Sequence, residues 1–482
     1  TLRGIGDPVR AMHVTLSAAI DQAAAGSEDN SILSGIGFTV TDNDGTTASG
    51  SFAVTVVDDI PTLLVSDTPT SVVEGSAVTG SWSLDQGADG VDSVTVSFGS
   101  GTATLSLAPG SSVSINQPTG TLTVNADGSF SFVAAGDQDN RLNPAATFTL
   151  SAVDRDGDPT SDSLTIKITD GTDPVGDATG LTLTVDEAAL SSGRTPGSPD
   201  ESDSGTLSFT AGSDTLSDFR FDGTGNLAAN LDGSGADISW TLSADGKTIT
   251  GSLDGGVTTA ITISLTAPAS VAPGVTQSVT VTVVLADNLS HADALAAQTQ
   301  ALGSVTVKAT DTDGDVASGT VTINVTDDIP TVTAVNSAGN ALTVDESDFG
   351  TDATAHFGIG QANSLFTAAF NADGPAAVDS VLYTLGVKTS GIASGLIDSA
   401  TNQAVVLTLE GGVVYGRVSG SNEVVFTLSV DATGSVTLDQ QRAVMHTPDT
   451  GANQSVTLNA ADLITLTATI EDSDGDTASA TA

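Results

Sequence analysis

The chain has 482 residues, with 12 Lys plus Arg against 59 Asp plus Glu, a formal net charge of -47. Eight of the acids are Glu, which leaves 51 Asp. Such a field repels nucleic-acid backbones and anionic membrane surfaces, and no apolar run is long enough to span a bilayer as a helix. There is no Cys, so disulfides and thiolate chemistry are excluded.

Hydrophobic residues make up 39% and aromatic residues 4%. Val, Ile, Leu and Thr recur in short runs, unlike the composition of a disordered acidic chain. The length suits roughly three or four domains, each with a thin aliphatic core. Asp at this density destabilises a compact state by self-repulsion, and bound divalent cations are the obvious remedy. No basic, apolar leader precedes the body, so export would rest on a leader outside this sequence or on a distant C-terminal signal.

In chain order, the first Asp-rich phrase is Asp42-Asn43-Asp44-Gly45. It returns as Asp154-Arg155-Asp156-Gly157-Asp158, as Asp311-Thr312-Asp313-Gly314-Asp315 and as Asp472-Ser473-Asp474-Gly475-Asp476. The first three copies lead into an alternating strand that ends in a second acidic knot before a proline. The knots are Asp58-Asp59 before Pro61, Asp170 to Asp173 before Pro174, and Asp327-Asp328 before Pro330. The step from motif Gly to first knot acid is 13 residues each time (Gly45 to Asp58, Gly157 to Asp170, Gly314 to Asp327). A fixed step in variable surroundings marks one repeated structural unit. A third acid, Glu74, Glu187 or Glu346, stands near the start of each full unit.

These marks divide the chain into 1–60, 61–173, 174–329 and 330–482. The first reads as the tail of a truncated unit, and the last as a unit that lacks its closing strand. Within units the apolar period is two, over strands of four to eight residues. NADGS at 125–129 and SADGK at 243–247 read as hairpin tips, with Gly128 and Gly246 supplying positive φ. Residues 287–302 are the best candidate for a short helix or a loop. The expected fold class is all-β, with Greek-key β-sandwiches in tandem; a closed barrel per unit is the less favoured alternative.

Asp at i, i+2 and i+4 converges where the backbone turns, and Gly at i+3 permits that turn. Hard oxygen ligands of this kind suit Ca²⁺. An EF-hand is rejected, because its Gly lies at position 6 and its bidentate Glu at 12. A composite site is expected instead. It joins Asp154, Asp156 and Asp158 to Glu74 and to Asp58 or Asp59. The next joins Asp311, Asp313 and Asp315 to Glu187 and to Asp170 or Asp173. The last joins Asp472, Asp474 and Asp476 to Glu346 and to Asp327 or Asp328. Asp42 and Asp44 form the fourth, shorter copy. The competing reading is a set of exposed Asp-Gly turns, which the repeated 13-residue step disfavours.

His13, His291, His356 and His446 are scattered and Cys is absent, so they are not expected to form one zinc site; structural hydrogen bonding is their expected role, with a local ligand contact the alternative. Arg10-Ala11-Met12-His13 and Arg442-Ala443-Val444-Met445-His446 look like two copies of one segment. GxSxG, HExxH and GxxxxGK[ST] are all absent, so no enzyme is indicated. The glycine-rich run holding Gly223, Gly225, Gly233 and Gly235 reads as a surface loop or a further cation site.

Units of the form DxDGDxASxxxxVxVxDDxP resemble the tandem repeats of giant type I-secreted RTX adhesins of Gram-negative bacteria. Residues 370–480 resemble one subtype, the DUF5801 type. It is carried by Asp379 to Tyr383, Ser394 to Asp398, Val414 to Arg417, Arg442 to His446 and Asp472 to Asp476. The resemblance implies Ig-like or cadherin-like sandwiches in a linear array, several Ca²⁺ ions, and an extracellular or cell-surface location in cell adhesion and biofilm formation. The nonapeptide GGxGxDxUx is absent, which implies a region outside the secretion block. Two functions stay open: a Ca²⁺-rigidified spacer braced against neighbouring repeats, or a Ca²⁺-dependent module that binds a peptide or glycan.

Overall fold

A computed structural model of the chain describes residues 14–20, 30–231, 238–291, 297–335, 341–447, 451 and 453–482. Its regular structure is strand, interrupted by four 3-10 turns of three residues each. No helix among the described residues is long and apolar enough to cross a membrane. The fold is mostly β, in successive sandwich-like pairs of sheets.

The sheets fall into successive sets along the chain. The first is a hairpin of Asn30–Thr41 with Thr47–Val57. The next is a sandwich with two five-stranded faces. One face runs Thr62–Val65, Ala77–Asp85, Ser129–Ala134, Gly120–Asn125, Ser112–Gln117; the other runs Ser71–Val73, Pro159–Thr169, Ala145–Asp154, Val91–Phe98, Gly101–Ser106. A second sandwich packs the four-stranded sheet Leu181–Asp186, Val316–Thr326, Thr299–Thr310, Ser217–Phe221 against a five-stranded one. That partner sheet is ordered Ser202–Thr210, Thr276–Leu285, Thr258–Thr266, Thr248–Leu253, Ser239–Leu242. The third sets a six-stranded sheet, from Ala353–His356 at one edge to Ile392–Ile397 at the other, against Val381–Val387, Ile464–Glu471 and Thr477–Thr481. The closing strand expected to be missing is thus present as five residues, Thr477–Thr481, paired with Ile464–Glu471.

Each sandwich buries its own apolar layer, because alternate side chains of a strand point to one face. Val91–Phe98 alternates buried Val94, Val96 and Phe98 with more open neighbours. The few rings are concentrated in these layers rather than thinly spread. Phe130, Phe132, Phe148, Phe209, Phe219 and Phe221 are among the largest fully buried side chains. Phe98 meets Phe132 edge-on at 5.8 Å, and Phe209 meets Phe219 at 5.5 Å.

The hairpin tips at 125–129 and 243–247 form as the sequence predicts, with Gly128 at φ +87° and Gly246 at φ +68°. Residues 287–302 contain no helix among those described. Residues 299–302 open the strand Thr299–Thr310, and the described residues before them form a loop. Gly223 and Gly225 lie in a turn after Ser217–Phe221, while Gly233, Gly235 and His13 lie outside the described residues.

Two pairings set the direction of everything that follows. Ser71–Val73 runs parallel to Lys167–Thr169, and Leu181–Asp186 runs parallel to the end of Val316–Thr326. An early strand and the last strand therefore finish at the same end of their sandwich. The last strand also begins at the opposite end, in an antiparallel hairpin whose tip is the Asp-rich motif. Eleven residues of strand separate the two ends by about 35 Å.

Candidate metal centres between sandwiches

All four Asp-rich loops share one backbone form, and in three of them it is set among buried acids. The first Asp closes the loop by donating its N–H to the carbonyl of the fifth residue, at 3.1 Å for Asp154, 3.0 Å for Asp311 and 3.1 Å for Asp472. Its Oδ1 then accepts the N–H of the fifth residue at 2.7 Å in all three. The motif Gly sits at φ +113°, +104° and +103°, where a Cβ would strain the backbone. Oδ2 of the first Asp is left buried and without a hydrogen-bond donor in Asp154 and Asp472. The Asp42 copy makes the same kind of turn, with Thr46 N–H on Asp42 Oδ1 at 3.0 Å, but its acids are exposed.

At the first centre, the loop of Asp154, Asp156 and Asp158 meets Asp58 and Asp89. Asp58, Asp89 and Asp156 each bring a carboxylate oxygen within 4.8 Å of the others. The adjoining Asp154 carboxylate, ahead of burial, pushes Asp156 up to about 6. Asp59 faces another way and accepts the N–H of Ala88 at 3.0 Å.

At the second centre, Glu74, Asp170 and Asp214 cluster within the same limit, as do Asp170, Asp173 and Asp315. Burial, then the adjoining Glu74 carboxylate, pushes Asp214 up to about 8, and the charges of Asp313 and Asp311 add to the shift. Burial also pushes Asp311 up to about 6. Arg141 stands at the rim and donates to the carbonyl of Thr312 at 2.9 Å.

The third centre gathers Glu187, Asp327, Asp373 and the loop of Asp472, Asp474 and Asp476. Burial raises Glu187 well above the ordinary range, with Asp373 the next cause. Burial and the charge of Asp474 push Asp327 up to about 8 and Asp373 to about 7. Asp472 rises to about 8 from burial and from the adjoining Asp474 carboxylate. Asp328 is fully buried too, but it is satisfied. It accepts from the N–H groups of Arg194 at 2.9 Å, Ala372 at 3.2 Å and Ile329 at 2.9 Å, and so ties two sandwiches directly.

The expected pairing of Glu with the motif is therefore corrected by one unit. Glu74 lies with Asp311 to Asp315 rather than with Asp154 to Asp158, and Glu187 lies with Asp472 to Asp476 rather than with Asp311 to Asp315. Glu346 is at the far end of its own sandwich, away from Asp472, where it accepts from Gln440 Nε2 at 3.0 Å and from the Val444 N–H at 2.7 Å. The parallel strand pairing is the cause, because it delivers each Glu to the end that faces the following sandwich. Glu74 accordingly donates its N–H to Thr169, the residue before knot acid Asp170, at 3.0 Å.

Three ligand candidates have no place in the motif as read from sequence: Asp89, Asp214 and Asp373. Each stands shortly before the strand that pairs with the motif-bearing strand: Val91–Phe98, Ser217–Phe221 and Val381–Val387 respectively. The signal was an acid after a small residue (Ala88-Asp89, Ser213-Asp214, Ala372-Asp373) with a second acid a few residues on. Of the histidines, His356 makes the expected structural hydrogen bond, with Nδ1 2.7 Å from Ser435 Oγ. His446 Nε2 lies 3.5 Å from Glu346. His291 is buried within the third centre.

Buried carboxylates at this density, with Asp58 Oδ2, Glu74 Oε1, Asp214 Oδ1, Asp313 Oδ1, Asp327 Oδ1, Asp373 Oδ2 and Asp474 Oδ1 lacking any donor, fit Ca²⁺. It takes six to eight hard oxygen ligands at about 2.3–2.6 Å in flexible geometry. Without a cation, Asp214, Asp327 and Asp373 hold protons well above the usual carboxylate range.

Residues 341–482 match the family model described as "Domain of unknown function (DUF5801)", under a third of the chain. No curated protein matches the chain. Among solved structures, the chain is similar to protocadherin gammaB7 in its EC3-6 cis-dimer (13% identity, TM-score 0.28, covering 92% of this chain and 82% of that one). It is also similar to a tetra-tandem repeat in the extending region of a large adhesion protein (15% identity, TM-score 0.21, covering 92% and 79%). A third is described as a Ca²⁺-stabilized adhesin that helps an Antarctic bacterium reach out and bind ice (14% identity, TM-score 0.22, covering 92% and 79%).

Proposed function

We propose that this chain is a Ca²⁺-rigidified extracellular region of a bacterial adhesin of the RTX type, which extends or supports ligand-binding modules at the cell surface. The observation that carries this reading is the composition of the second and third centres. Each draws its carboxylates from two consecutive sandwiches: Glu74 and Asp170 with Asp214 and Asp311 to Asp315, and Glu187 and Asp327 with Asp373 and Asp472 to Asp476. An ion held by both sides cross-braces the pair and removes hinge freedom. The units 61–173, 174–329 and 330–482 are then the segments of a stiff spacer, and the acids named above are its Ca²⁺ ligands.

Small-angle scattering on the chain in mM Ca²⁺ and in excess chelator tests this. Chelation should shorten the maximum dimension and raise flexibility while circular dichroism still reports folded sandwiches. The double substitution Asp327→Asn with Asp474→Asn should loosen only the junction near Pro330 in Ca²⁺. Unchanged dimensions in chelator, with the sandwiches folded, would overturn the bracing role.

A further inference from the structure

The third centre differs from the other two by one buried ring. His291 is 2% exposed, and neither of its nitrogens makes a hydrogen bond. Its Nδ1 points at two carboxylates, 3.6 Å from Glu187 Oε2 and 3.4 Å from Asp327 Oδ1. Both oxygens are themselves buried without a donor. Asp474 lies close enough for its charge to bear on all three groups, and its Oδ1 is also buried without a donor. His291, Glu187 and Asp327 each offer one ligand atom, and these three atoms lie within 4.8 Å of one another.

An imidazole is out of place in an all-oxygen Ca²⁺ shell, and it suits a borderline ion such as Zn²⁺. A tetrahedral Zn²⁺ with bonds of about 2.0–2.1 Å separates its ligand atoms by about 3.3–3.4 Å, close to the two spacings seen here. We propose that His291, Glu187 and Asp327, with Asp474 completing the shell, form a transition-metal site of the Zn²⁺ class at the junction of residues 174–329 and 330–482. Its three acids are shared with the proposed Ca²⁺ set of the same junction.

Corresponding loops explain why only this junction qualifies. In each sandwich one loop donates a backbone N–H to the early Glu: Gln138 to Glu74 at 2.9 Å, Leu289 to Glu187 at 2.6 Å and Val444 to Glu346 at 2.7 Å. Two residues further on stand Asn140, His291 and His446. Asn140 offers an amide oxygen, a hard ligand that keeps its junction suited to Ca²⁺. His446 sits beside Glu346, but both side chains are partly exposed. Among the described residues, His291 is the histidine whose ring faces two buried acids.

The test uses the whole chain, stripped with chelator and dialysed against mM Ca²⁺ with a small excess of Zn²⁺. Metal per chain is counted after gel filtration. Wild type and His446→Asn should each retain one more Zn²⁺ than His291→Asn. In wild type, the ring signals of His291 should shift on addition of one equivalent of Zn²⁺, read by ¹H–¹⁵N correlation of the imidazoles. Equal Zn²⁺ retention by wild type and His291→Asn overturns the site, as does a His291 ring that one equivalent leaves unmoved; the second readout needs no variant. Calcium-dependent melting of His291→Asn, measured alongside, reports on the Ca²⁺ reading separately, so one can fail without the other.

Discussion

Asp327 is the residue in which the competing demands on this chain are plainest. It is 5% exposed, and it faces Asp474, Asp373, Asp476 and Asp472. Without metal its charge is a liability, and on the proposed Ca²⁺ reading it is a ligand. Asp327→Asn should therefore change sign with conditions. In chelator at pH 7.5 the variant should melt a few degrees higher, on the order of 1 kcal/mol, while in mM Ca²⁺ it should melt lower than wild type. Paired thermal scans decide it, and a variant that is worse in both conditions would make Asp327 a purely structural acid. The same chemistry sets a pH dependence. Asp327 and Asp472 titrate at about 8 and Asp373 at about 7 in the folded chain, against an ordinary value of 3.8. The folded state thus binds more protons than the unfolded one between about pH 4 and pH 8. The stability these groups contribute is full below pH 4 and is lost as pH rises through 7 to 8. In chelator, the melting temperature should climb as pH is lowered from 8 to 5, and added Ca²⁺ should flatten or reverse that slope. A chelated chain that loses stability on acidification over this range would contradict it.

At the scale of elements, the governing feature is the parallel pairing of each early strand with the last strand of its sandwich. Had Leu181–Asp186 met Val316–Thr326 antiparallel, Glu187 would emerge beside Asp311 to Asp315. The parallel register Asp186 to Thr326 places Glu187 next to Asp327 instead. Double-mutant cycles read this directly, because groups in one network couple by 0.5–3 kcal/mol and distant ones add. With melting in Ca²⁺ as the readout, Glu187→Gln should couple to Asp474→Asn by about 1 kcal/mol or more. It should be additive with Asp313→Asn. The reverse pattern would mean that each Glu serves the motif of its own unit. Direct struts supplement the ions: Asp137 accepts from Thr215 N–H at 2.8 Å and from Thr312 Oγ1 at 2.6 Å, and Asp328 links Arg194 to Ala372. These contacts need no metal and should limit how far the junctions open on chelation.

For the whole molecule, the ledger of charge is dominated by -47, and much of the carboxylate excess that is buried lies in three places. Ligands that bind only the folded chain stabilise it by RT ln(1 + [L]/Kd) per site, about 2.7 kcal/mol when the ion is at 100 times its Kd. Melting should therefore rise with the logarithm of Ca²⁺ concentration, by at least several degrees between chelator and mM Ca²⁺. Mg²⁺ should substitute poorly, since it prefers a tight octahedron and dehydrates reluctantly. Equal melting temperatures in Ca²⁺ and in chelator would remove the ions from the stability of the chain.

The period-two alternation, the hairpin tips at Gly128 and Gly246 and the turn geometry at Gly157, Gly314 and Gly475 were legible in the sequence, because each depends on neighbours within a few residues. Local rules of side-chain direction and positive φ suffice there. So was the character of the acidic motif, whose first Asp bonds its own loop. The partner of each motif was not legible. Glu74 and Glu187 are bound to their sites through the direction in which two strands pair, 95 residues or more apart along the chain (Ser71 with Lys167, Leu181 with Val321), and composition carries no sign of that direction. Asp89, Asp214 and Asp373 became ligand candidates only when their strands were laid beside the motif hairpins. His291 stood alone in sequence and acquired its meaning from burial against Glu187 and Asp327. Backbone turns are decided by local sterics, whereas which charges face one another is decided by sheet topology, and that is a property of the folded chain.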